Sequence, residues 1–187
     1  MEPWAWIIVA VAIVIAIVAA WRITAERRSA RLRRDFGPEY DRTVAEQGDQ
    51  REAERALRER EARRDRLDIR PLSEESRTRY AGEWNDVQAR FVDEPAGAVG
   101  DADRLVGAVM RERGYPMDDF EGQAELVSVD HPGVVEHYRA GHAAFEAYDR
   151  GESSTEDLRQ AMVHYRALFE DLLGPSGDRT DRIQEVR

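Results

Sequence analysis

Apolar and polar positions divide this chain into three successive patterns. From Trp4 to Trp21 the string WAWIIVAVAIVIAIVAAW carries no charge, and its only hydrogen-bonding side chains are three indoles. As a helix it spans about 27 Å, close to the hydrocarbon thickness of a bilayer. The pattern predicts a transmembrane anchor over 4–21 behind a short flank, 1–3, with Trp4, Trp6 and Trp21 at the two lipid boundaries. A basic segment, 22–36, comes next, in which Arg22, Arg27, Arg28, Arg31, Arg33 and Arg34 suit anionic headgroups. By the positive-inside rule these arginines put the N-terminus outside and the remainder in the cytoplasm, so the expected place is the inner membrane, single-pass. Export is the alternative, because Val18-Ala19-Ala20 resembles a signal cleavage site, although a basic n-region is missing.

The second pattern, 37–68, is charged on nearly every side. Gly37-Pro38 breaks the chain and suits a helix start, and Asp49 with Glu52 three residues on reads as a capping arrangement. Glu54/Arg58 and Glu59/Arg63 stand at the favourable i,i+4 spacing. Ala53, Ala56 and Leu57 make only a stub of an apolar stripe. The expectation is a solvated helical stalk that lifts the distal helices by about 25 Å. A homodimeric coiled coil is the competing reading, with fewer than three heptads to support it.

The third pattern, 69–174, is amphipathic. Ile69-Arg70-Pro71 marks a boundary, and Ser73 caps a helix whose buried face is Tyr80, Trp84, Val87 and Phe91. Pro95 opens a second helix, with Val99, Ala102, Leu105, Val106, Val109 and Met110 on one side, closed by Gly114. Phe120, Leu126 and Val127 indicate a short connecting helix. Val134, Tyr138, Phe145 and Tyr148 mark a third long helix, and Ser153 with Glu156 caps a fourth, striped by Leu158, Ala161, Met162, Tyr165, Leu168 and Phe169. No stretch alternates long enough for a strand. The fold class is therefore all-α: an anchor, a charged stalk and an antiparallel bundle of about four long helices, ending in a polar tail, 175–187, expected to be disordered.

Charge sharpens this picture. The 187 residues carry a net charge of -10, and all 28 basic residues are Arg. The Arg-only usage reflects genome composition in a high-G+C bacterium rather than chemistry. From Arg22 to Arg79 there are 17 Arg against 14 acids; from Tyr80 onward, 11 against 23. The acidic distal part argues against a nucleic-acid partner. With no Cys, thiolate zinc sites and cysteine nucleophiles are excluded, and with no Lys so is a P-loop.

All four histidines fall between 131 and 164, which raises the question of a metal or acid/base site. His137 and His142 are about 140° apart on a helix and cannot share a metal, and no HExxH string occurs. Asp118, Asp119 and Glu121 sit where a helix start takes negative charge. No cofactor, metal or catalytic residue is assigned.

The strings FGPEYDR, DIRPL, QARFVDEP, RGYP, VDHPGVVEHYR and STEDLRQAMVHYRALFEDLL resemble those of an uncharacterised bacterial family of membrane-anchored or secreted helical proteins. The resemblance covers about Arg31 to Leu173 and implies no activity.

These patterns predict a membrane-anchored, non-enzymatic helical interaction module whose partners are the lipid bilayer and another protein. His137, Arg139, His164 and Arg166, on the polar flanks of the last two long helices, are the candidate contacts. A small metal- or histidine-dependent hydrolase in the distal helices, and a secreted or self-associating envelope protein, are the competing readings.

Overall fold

The computed structural model describes residues 3–117, 119–152 and 154–174, with the side chains of 3–12, 14, 18, 25 and 149 outside that description. Eight helices succeed one another: α1 (Pro3–Phe36), α2 (Pro38–Gln47), α3 (Gln50–Arg64), α4 (Glu74–Arg90), α5 (Pro95–Arg113), α6 (Phe120–Asp130), α7 (Val135–Asp149) and α8 (Thr155–Leu173). There is no strand among the described residues. The expected tail, 175–187, and the side chains of Trp4 and Trp6 lie outside them, as do Asp118 and Ser153. The cap seen at α8 is one residue further on: Ser154 and Asp157 form a reciprocal capping box.

Two expectations are corrected. Among the described residues no helix is long and apolar enough to cross a membrane, which overturns the transmembrane anchor over 4–21. Among the described side chains of α1, the apolar positions from Ile13 to Ile23 are interrupted by Arg22 and followed on the same helix by Arg27, Arg28 and Arg31. Nor does the helix end at Trp21; it continues unbroken through the Arg-rich segment to Phe36.

The charged segment 37–68 is not a solvated stalk either. Gly37, at φ 49°, turns the chain so that α2 doubles back, and Gly48, at φ 69°, closes α2 before Asp49 caps α3. The stub of apolar residues then finds partners: Leu32 and Phe36 of α1, Tyr40 of α2, Leu57 of α3 and Val129 of α6 form a small second core. Charge does the rest. Glu39 is fully buried, and its carboxylate accepts from Arg60 of α3 at 2.7 Å and from Arg139 of α7 at 2.7 and 3.0 Å. Arg60 also reaches Glu125 of α6 at 3.2 Å. Arg64 pairs with both oxygens of Asp130 at 2.8 Å, and Arg63 with Glu125. A helix polar on all sides needs either water or counter-charges; here α6 and α7 supply counter-charges.

The larger core joins α4, α5, α7 and α8. The α5 and α8 stripes read from the sequence are buried, Val99, Ala102, Val106 and Val109 meeting Leu158, Ala161, Leu168 and Phe169, whereas of the α7 stripe Tyr138 is buried and Tyr148 is exposed. Trp84 of α4 stacks on Phe169 with ring centroids 4.6 Å apart. Short connections at 91–94 and 150–154 make α4/α5 and α7/α8 neighbouring pairs. Two glycines allow close packing. Gly114 has φ 102°, and a Cβ there would lie 2.6 Å from the carbonyl oxygen of Asp68. The linker thereby lies against the end of α5, with Arg70 N–H donating to Arg113 O at 2.8 Å. Gly141 brings α7 against the Tyr165 ring, 3.1 Å from where a Cβ would be.

Glu39→Ala would leave Arg60 and Arg139 without their shared buried counter-charge. It is expected to cost about 3–5 kcal/mol in urea denaturation, whereas Arg31→Ala, which removes an exposed pair with Asp35, costs under about 1. Equal midpoints for the two variants would show that the buried cluster does not hold the fold. Trp84→Ala is expected to cost about 3–5 kcal/mol by the same measurement, and an unchanged midpoint would remove Trp84 from the core.

Candidate functional site

The histidines separate into three environments, each set by helix register. His131 ends α6 and is buried. Arg113 Nη1 lies 3.3 Å from its Nε2 and also donates to Leu172 O at 3.1 Å, while Nδ1 meets Asp171. Arginine can only donate, so Nε2 accepts and Nδ1–H donates to the carboxylate. That histidine ties the end of α8 to α5 and α6.

His137 of α7 and His164 of α8 meet with their Nδ1 atoms 2.8 Å apart. One of the two nitrogens must carry the proton and the other accept it, so the two rings take opposite roles at Nδ1. Burial, then the neighbouring His137, pushes the pKa of His164 below the ordinary value. Among the described residues no group of three or more His, Asp or Glu could hold a metal ion.

The third histidine environment opens onto a cleft. One turn beyond Tyr138 on the same face of α7, His142 stacks on Phe120 of α6 with ring centroids 3.7 Å apart. Its Nδ1 is 3.7 Å from Asp103 Oδ1 on α5, and its Nε2 is 3.4 Å from Glu146. Asp103 also accepts from the buried Tyr165 hydroxyl at 2.8 Å. Tyr138 donates to Gln123 Oε1 at 3.0 Å. The Asp103 carboxylate holds His142 above the ordinary histidine pKa, against the opposing effect of burial. Burial first, with Asp103 adding to it, raises the hydroxyls of Tyr138 and Tyr165 well above the usual phenol range. These residues line or back a cavity of about 450 Å³ between α5, α6 and α7.

Of the expected partner contacts, the structure brings His137 and His164 together, leaves Arg166 exposed and paired with Glu170 at 2.7 Å, and turns Arg139 inward to Glu39. Arg139 holds the fold together rather than facing a partner. Of the arginines read as membrane-facing, Arg31 pairs with Asp35 and Arg33 lies over the Tyr40 ring at 5.0 Å. Arg22, Arg27, Arg28 and Arg34 are exposed, and Trp21, Arg22 and Arg28 border a cleft of about 650 Å³ against the start of α3. The sequence did carry one signal for the Asp103 cluster. Asp103 stands four residues after Val99 and three before Val106, a carboxylate set inside an apolar stripe.

The described fold and site define an all-helical protein with a polar, histidine-bearing cleft. No protein-family model, curated protein or solved structure matches the chain.

In an NMR pH titration His142 is expected to titrate above about 6.5 and His164 below it, and Asp103→Asn to bring His142 down. The stability that a raised His142 contributes is present below the unfolded value and is lost as pH rises through the folded one. A lowered His164 has the opposite sign, and its contribution is lost as pH falls. Coincident titration of the two rings would contradict this electrostatic map.

Proposed function

We propose that this chain is a non-enzymatic helical interaction module, a packed body that carries an apolar arm for another protein. The single observation behind this reading is the surface of α1. Ile13, Ile15, Ile17, Trp21 and Ile23 are 49–65% exposed on one helix, whereas the exposed large apolar side chains of the body, Val92, Tyr148 and Val163, are scattered. Exposed apolar side chains concentrated along one helix in this way suit an interaction site. The non-enzymatic part of the reading is supported by the histidines, since each already faces a partner from another part of the fold: Asp171 and Arg113 for His131, each other for His137 and His164, and Asp103 for His142.

A second reading is favoured by a separate observation. Arg22, Arg27, Arg28 and Arg34 are exposed beside Trp21, an arrangement that suits an anionic lipid surface at about 1 kcal/mol per Arg.

A photo-cross-linking residue at Ile17 in the full-length chain in cells is expected to give one discrete protein adduct, lost in an Ile13→Asp/Ile15→Asp background. The same residue at Arg150 should give none. Identical adducts from both positions, or no adduct from Ile17, would refute the arm as a docking element. Co-sedimentation with anionic but not neutral vesicles, reduced in an Arg27→Glu/Arg28→Glu variant, is the outcome expected of the second reading.

A further inference from the structure

The cleft between α5, α6 and α7 has the make-up of a small-molecule site that the interaction reading does not use. Its volume, about 450 Å³, falls within the roughly 300–1,000 Å³ of ligand pockets. One wall is flat and apolar: the Phe120 ring backed by His142, with Met117 beside it. At the floor Gly107 lets Met117 pack close; a Cβ there would lie 3.2 Å from Met117 Cε and push that side chain toward the cleft.

The polar groups of the cleft are unequally satisfied. Asp103 accepts from Tyr165 and faces His142, and Asp119 is engaged as the cap of α6, accepting from Gly122 N–H at 2.7 Å. Both acids thus have donors already. Tyr138 holds Gln123 by its oxygen, which leaves the amide N–H₂ to donate. Arg111, at the mouth, makes no ion pair among the described residues. The donors without acceptors are therefore a guanidinium and an amide, next to a flat apolar wall.

We propose that this cleft binds a small planar carboxylic acid, its ring against Phe120 and its carboxylate on Arg111 and the Gln123 amide. A carboxylate matches the paired N–H groups of a guanidinium in geometry as well as charge.

Equilibrium dialysis of the full-length protein against 2-naphthoate and, separately, neutral 2-naphthalenemethanol tests this. The acid is expected to bind one to one and the alcohol at least about tenfold more weakly, and Arg111→Ala should weaken the acid by about tenfold or more. Gly107→Leu fills the floor and should abolish binding, with its fold checked by circular dichroism. Arg111 is exposed, so Arg111→Ala tests the site without disturbing the core. Absence of binding, equal binding of acid and alcohol, or binding that survives both substitutions would overturn the proposal, the last because the ligand then sits on another surface.

Discussion

The structure depends on one buried carboxylate. Glu39 lies in the first turn of α2, wholly removed from water, and is held by Arg60 from α3 and Arg139 from α7. Burying a lone carboxylate would be very costly, so the site is stable only when both guanidinium groups arrive. The hydroxyl of Thr43, one turn along α2, sits 3.4 Å from Arg60 and completes the enclosure. Arg139 is 100 residues away in the chain, and Arg60 extends the cluster to Glu125 on α6. Four helices are thereby registered at one point. The small apolar cluster around Phe36, Tyr40 and Leu57 adds area, but the ion cluster sets the geometry, because a charge pair fixes distance and direction whereas apolar contact fixes neither.

That dependence explains what the sequence could and could not disclose. The distal helices were legible because their information is local. Tyr80 and Trp84, Val99 through Met110, and Leu158 through Phe169 repeat at helical spacing, and the structure buries those stripes. The caps at Asp49 and Ser73 were legible for the same reason. The segment 37–68 misled because its stabilising partners are remote. Nothing near Arg60 or Glu39 announces Arg139, and a helix whose polar residues are matched by charges from α6 and α7 has the same periodicity as one in water. The apolar run at the start misled by its composition, since it belongs to a helix that continues through the Arg-rich segment to Phe36.

The candidate site was half legible. Clustering of four histidines in the distal region was plain, and so was the divergence of His137 from His142 on one helix. Which partner each would find was not. His164 reaches His137 only because Gly141 lets α7 and α8 come close, and His142 meets Asp103 only because α5 packs beside α7. The outcome is a division of labour among chemically identical side chains. One is tied to a carboxylate and an arginine at a helix end, two hydrogen-bond to each other, and one faces a cavity with its charge favoured.

The continuity of α1 has a mechanical consequence. Thirty-four residues without a break form a helix of about 51 Å, exposed at Ile13, Ile15, Ile17, Trp21 and Ile23 and ending at Gly37, two residues before Glu39. Because the helix is unbroken from the exposed isoleucines to Phe36, whatever grips that stretch holds a lever whose near end adjoins the turn at Gly37 and the buried Glu39 cluster.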